Sequence, residues 1–104
     1  MINKNLSKCG SELTIIIGEQ LTLSEFKDFR SAFEHISLDC CLVKVDFNKT
    51  GYLDFAALGM LLLLKDVVTA VKGNLVLTFP VSENGAFKLI RAANFQRTFD
   101  VIVA

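Results

Sequence analysis

Histidine occurs once in this chain, as His35, and the acidic and basic residues cancel, eleven against eleven. Each shortage excludes something. A single imidazole gives a multi-histidine metal site or a serine–histidine–aspartate triad little to draw on. His35 itself reads as a polar residue near a helix end. A formal net charge of zero supplies no basic field to neutralise phosphates, which nucleic-acid binding normally requires. No block of like charges marks an acidic tail or a membrane-binding arm. The cysteines Cys9, Cys40 and Cys41 are odd in number, and their spacing matches no zinc pattern. Adjacent residues of a strand face opposite sides, so Cys40 and Cys41 would not converge on one ligand; all three read as reduced thiols. The longest apolar run, residues 55–64 interrupted only by Gly59, is too short to cross a bilayer and suits a buried helix. The first five residues lack the apolar core of a signal peptide. Together these absences point to a cytosolic protein with no metal or cofactor, no nucleic-acid partner and no membrane insertion.

What is present describes a packed domain. Hydrophobic residues make up 52% and charged residues 21%, a balance that separates the chain from disordered segments. Its 104 residues suit one domain over 1–104, able to bury roughly two-thirds of its unfolded surface. Four short runs rich in Val, Ile, Leu or Phe read as strands: 13–17, 41–47, 75–79 and 99–103. They are nearly continuous in apolarity, which predicts a sheet covered on both faces. Between them lie three helical patterns. The first spans about 23–36, with Phe26, Phe29, Phe33 and Ile36 on one face and Thr22 with Glu25 as a capping box. The second spans about 55–71 and is apolar on nearly all sides in its first half. Gly73 is placed to end it in a left-handed conformation. The third spans about 82–93, with Phe87, Ile90 and Ala93 on one stripe, Pro80 before it and Asn94 to close it. The order β-α-β-α-β-α-β calls for right-handed crossovers and a largely parallel sheet. Residues 5–10 suggest an antiparallel edge strand that turns at Gly10-Ser11.

Function in open α/β sheets gathers beyond the carboxyl ends of the strands. The second predicted strand ends near Phe47, and residues 48–60 follow. Asp54 stands just before a helix, where its carboxylate can accept backbone N–H bonds and complement the helix dipole. It reads either as a cap alone or as part of a binding tip, since helix starts favour anionic groups and polar partners. Phe55 lies in the first turn. It reads either as a solvent-facing anchor for a partner or as a ring folded back onto the sheet.

The stretch Tyr52-Leu53-Asp54-Phe55-Ala56-Ala57-Leu58-Gly59-Met60-Leu61-Leu62-Leu63 resembles the signature of STAS-domain anti-sigma factor antagonists. In that family an Asp is followed by one or two serines, a small residue, Leu and Gly at the start of the second helix. The stretch 88–99 is similar too, with a helix ending in Ala93-Asn94 that leads into a Phe-containing last strand. Gly18-Glu19 before an amphipathic helix is consistent with the same pattern. The resemblance covers almost the whole chain. It implies the α/β STAS fold, a mainly parallel sheet of four to five strands with helices packed against it. It also implies a protein partner: the ATP-binding, serine kinase-like domain of an anti-sigma factor, which such proteins engage to free a sigma factor. The expected contact residues are Asp54, Phe55 and Ala56, then Ala57, Leu58, Gly59 and Met60, with Glu19 in the neighbouring loop.

The chain departs from the family at the decisive place. The kinase phosphorylates the serine after the Asp, and the added charge abolishes binding. Here Phe55 takes that position and Ala56 the next, and neither has a hydroxyl. Leu21 stands where relatives often carry an acidic residue. Among other hydroxyls, Thr50 and Tyr52 lie closest to the signature, and Ser24, Ser31, Ser37 and Ser82 lie elsewhere. Two further readings stand beside this one. Some STAS domains dock as cytosolic subunits on ABC-type lipid transporters, which a neutral, apolar helix start would also suit. An enzyme would need a nucleophile or an acid–base pair. Asp46 and Asp54 are the only acids near the expected strand ends, and no Gly-rich phosphate loop is present.

Overall fold

The computed structural model describes residues 2–6, 10–34, 41–80, 85–94 and 97–103, the side chains of 85–87 apart. His35, Cys9, Cys40, Ser37, Ser82, Ile36 and the Phe87 side chain lie outside the described residues. In chain order the elements are β1 (Ile2–Leu6), β2 (Glu12–Ile17), β3 (Gln20–Leu21), a 3-10 turn (Leu23–Glu25) and α1 (Phe26–Phe33). Then follow β4 (Leu42–Asp46), β5 (Tyr52–Leu53), α2 (Phe55–Ala70), β6 (Asn74–Phe79), α3 (Gly85–Ala92) and β7 (Asp100–Val103).

Five strands form the main sheet in the order β1-β2-β4-β6-β7. The β2–β4, β4–β6 and β6–β7 pairs are parallel, and only β1 runs antiparallel, against β2. This is the mainly parallel α/β sheet expected. The antiparallel edge strand is present at Ile2–Leu6; residues 7–9 of the expected 5–10 lie outside the described residues. Gly10 has φ 73° and sits in the turn that follows, a conformation glycine adopts without steric cost.

The sheet is not buried on both faces. Along β2, β4 and β6 burial alternates strictly: Leu13, Ile15 and Ile17, then Val43, Val45 and Phe47, then Leu75, Leu77 and Phe79 are buried. The residues between them, such as Ile16, Leu42 and Val76, are only half-buried. An apolar residue at every position therefore does not mean two covered faces here; the second face holds apolar side chains that keep some solvent contact. The buried face shares one core with Phe29 and Phe33 of α1, Leu61 and Leu64 of α2 and Ile90 of α3. Phe29 and Phe33 meet edge to face at 5.3 Å, and Phe47 stacks on Phe79 at 4.9 Å. Burying such rings gives about 1.5–3 kcal/mol each. The Phe47–Phe79 stack lies at the carboxyl ends of β4 and β6.

Two helix ends show how local chemistry sets boundaries. Thr22 and Glu25 form the capping box, with Glu25 Oε1 accepting from Thr22 N at 3.0 Å. The box opens a 3-10 turn rather than the α-helix itself, which starts at Phe26. At the far end of α2 the left-handed residue is Lys72 (φ 58°), not Gly73. Gly73 N donates to Val68 O and Lys72 N to Thr69 O, the paired bonds of a Schellman motif whose left-handed position falls one residue before the glycine. Asn94 takes the left-handed conformation (φ 59°) after α3, as its position suggested.

A stitched rim at the start of helix α2

The loops leaving β2 and β4 are sewn together by backbone. β3 and β5 pair in parallel, Gln20 opposite Tyr52 and Leu21 opposite Leu53. Gly51 N donates to Glu19 O at 2.9 Å and Asp54 N to Leu21 O at 3.4 Å. Thr50 is buried, and its Oγ1 donates to Gly18 O at 2.7 Å. Leu21 and Leu53 point into the core, so the position of Leu21 is a structural one.

Asp54 is the knot of this arrangement. Its backbone is extended, and Oδ1 accepts from Ala57 N at 2.9 Å, an N-cap bond. Oδ2 accepts from Leu23 N at 3.1 Å. One carboxylate thus satisfies an orphan donor of α2 and another at the 3-10 turn, fixing the two helix starts side by side. The cap reading and the binding-rim reading of Asp54 are therefore compatible: capping is what holds the rim in place.

Phe55 does not fold back. It is 80% exposed, the most exposed large apolar side chain among the described residues. Leu23, across the Asp54 bridge, is 68% exposed, and Tyr52 56%. Gly59, one turn beyond Phe55, is exposed, with no atom near the place a Cβ would occupy. Leu62 and Leu63 continue the same helical stripe and are partly exposed. The structure thus brings Asp54, Phe55 and Gly59 to one accessible rim, with Glu19 exposed in the adjoining loop. It turns Ala57, Leu58 and Met60 into the core and leaves Ala56 half-buried against it. Those four support the rim from beneath, and Phe55 and Gly59 are the exposed positions beside them. Sequence reading missed Leu23, Leu62 and Leu63. A second helical period along 55–63, offset from the buried one, was the available signal for the last two.

At the rim the Asp54 carboxylate is engaged by two backbone donors, and Phe55 and Leu23 present only carbon to solvent. Among the described residues no group of three His, Cys, Asp or Glu could hold a metal ion. None of the described helices is long and apolar enough to cross a membrane.

No protein-family model matches the sequence. A STAS-domain containing protein of Pseudomonas aeruginosa is 34% identical over 92 residues, covering 88% of this chain and 89% of that protein. The anti-sigma factor antagonist SpoIIAA in its unphosphorylated form shares the fold with a TM-score of 0.75 at 13% identity, over all of this chain and 89% of SpoIIAA. A protein of Thermotoga maritima assigned as an anti-sigma factor antagonist superposes with a TM-score of 0.77 at 10% identity, over 97% of this chain and 85% of that one. The STAS domain of an antagonist from Rhodobacter sphaeroides matches 74% of the chain and 83% of its own, with a TM-score of 0.59 at 19% identity. The match to that sequence relative covers 88% of this chain and 89% of the other, and on that ground the chain belongs to the STAS-domain family.

Proposed function

We propose that this chain is a non-enzymatic, cytoplasmic regulator that binds a protein partner through the rim at Asp54, Phe55 and Gly59, and that it does so without a phosphorylation switch at the start of α2. The partner class is the kinase-like domain of an anti-sigma factor or a related signalling protein. The observation that carries the reading is the exposure of Phe55 on a rim rigidly tied by Asp54. An aromatic ring held out in solvent by a fixed backbone loses little entropy on docking and buries a large apolar area, the usual properties of an interface anchor. Leu23 widens the anchor on one side, and Gly59 lets a partner backbone approach the helix on the other.

Phe55 and Ala56 offer no oxygen for a phosphoester. A partner kinase bound here would find a ring where a serine would otherwise accept the phosphoryl group, so binding would be constitutive or controlled through the partner.

The test is capture of proteins from lysate of the source cells on the immobilised chain, with Phe55→Ala and Leu23→Ala in parallel. Retention of an ATP-binding regulator by the parent chain and its loss with either variant supports the reading. Retention unaffected by both variants would place the interface elsewhere. Recovery of a membrane ATPase from detergent extract instead would favour docking on an ABC-type lipid transporter.

A further inference from the structure

The half-exposed face of the main sheet carries its own pattern. Cross-strand partners share a face, and two rows on it cross all five strands. One reads Asn3, Ile16, Asp46, Thr78 and Ile102, from β1 to β7. The next reads Asn5, Thr14, Lys44, Val76 and Asp100. No side chain of either row is buried. At the centre stand Lys44 and Asp46, two residues apart on the middle strand β4 and both half-buried. Asp46 Oδ1 accepts from Asn48 N at 2.8 Å, which leaves Oδ2 for a further donor. The Lys44 ammonium has no partner among the described residues.

We propose that this face is the interface of a symmetric dimer, with a second copy of the chain as its occupant and reciprocal Lys44–Asp46 ion pairs across a twofold axis at Val45. Charge complementarity selects both the occupant and the orientation. When two such sheets stack with strands antiparallel across the interface and centred on Val45, each row faces the other. Lys44 then meets Asp46 of the second copy twice, Ile16 meets Thr14, and Thr78 meets Val76. Asp100 faces Ile102, so no like charges are opposed. With strands parallel across the interface, Lys44 would face Lys44 and Asp46 would face Asp46, which repel. A twofold interface requires a patch complementary to itself, and a single Lys and a single Asp flanking one point on a central strand are the smallest such charge pattern. Aligned stacking of twisted sheets at about −30° is a standard packing. Ile16, Val76 and Ile102 supply apolar area around the ion pairs. The α2 rim lies at the sheet's carboxyl end and is not used.

Sedimentation velocity over a range of protein concentrations tests this, with each variant's fold checked by far-ultraviolet circular dichroism. The parent chain should shift from monomer to dimer as concentration rises and revert in high salt. K44E and D46K should each remain monomeric, because each places like charges in both pairs. Mixing K44E with D46K should restore a dimer, now a heterodimer with both pairs complementary. A parent chain monomeric at every concentration overturns the proposal. So do single variants that dimerise like the parent, or a K44E and D46K mixture that stays monomeric. A dimer abolished by Phe55→Ala but not by K44E would assign the second copy to the α2 rim and overturn it as well.

Discussion

Asp54 Oδ2 accepts a hydrogen bond from Leu23 N at 3.1 Å, joining residues 31 positions apart and locking the turn before α1 to the start of α2. The other oxygen of the same carboxylate caps α2 through Ala57 N. Replacing Asp54 with Ala removes both acceptors. Loss of an N-cap costs about 1 kcal/mol, and a second charge-assisted bond on a partly exposed loop adds a comparable or smaller amount. Thermal unfolding of Asp54→Ala should therefore occur roughly 5–10 °C below the parent chain, using the sensitivity of a domain of about this size. Asp54→Asn keeps one acceptor for the α2 cap but turns its amide NH2 toward the second backbone N–H, so it should lose roughly half as much. A loss equal to that of Asp54→Ala would mean that the cap bond alone does not support the rim.

Phe55 separates binding from stability. Its ring rests on solvent, so Phe55→Ala should change unfolding free energy by no more than about 0.5 kcal/mol. The same change should weaken partner binding at least tenfold, or about 1.4 kcal/mol, since central aromatic anchors carry interface energy. Calorimetric titration with the captured partner checks the second figure and denaturant unfolding the first. Phe55→Ser adds the missing hydroxyl. With the partner kinase and magnesium ATP, this variant should gain one phosphoryl group by intact mass while the parent gains none at residues 55–56.

Much of this was legible in the sequence, for reasons that differ by element. The strands at 13–17, 41–47, 75–79 and 99–103 showed as apolar runs because a sheet core needs them, and the structure places β2, β4, β6 and β7 there within a residue or so. The pair β3 and β5 gave no signal. Two-residue strands have no period to detect, and what holds them is backbone pairing between Gln20–Leu21 and Tyr52–Leu53, which is nearly independent of side-chain identity. Leu23 was hidden for a related reason: it looked like the first residue of an amphipathic helix, whereas the capping box makes a separate 3-10 turn and leaves it in solvent. Leu58 and Met60, read as contacts through the family signature, are core residues. A motif records fold and binding together, and only burial separates them.

Thr50 was one of the hydroxyls nearest the signature. It is 1% exposed, with its hydroxyl donating to Gly18 O, so its role is to bind the loop after β4 to the end of β2. Thr50→Val keeps the shape and removes the donor. The Gly18 carbonyl is left without that partner, and the expected destabilisation is about 1–3 kcal/mol. Urea unfolding should show a lower midpoint with an unchanged slope, as for a loss of stability alone. Phosphopeptide mapping of the native protein should find Thr50 unmodified. A stoichiometric phosphate there would require this loop to open in the cell.

The end of α2 supplies a prediction of opposite sign. Lys72 holds φ at 58° so that Gly73 N can reach Val68 O. A side chain in the left-handed region costs roughly 1 kcal/mol relative to glycine, and the Lys72 side chain is exposed, so little packing is lost on removing it. Glycine at this position also loses more chain entropy on folding, which takes back part of the gain. Lys72→Gly should therefore stabilise the fold by up to about 1 kcal/mol, a rise of a few degrees in the thermal midpoint. Gly73→Ala should be close to neutral, because the glycine that follows the left-handed residue is not itself at positive φ. If Gly73→Ala proved the costly change and Lys72→Gly gave no gain, the left-handed residue would have to be the glycine after all, and the helix would end one residue later than its hydrogen bonds indicate.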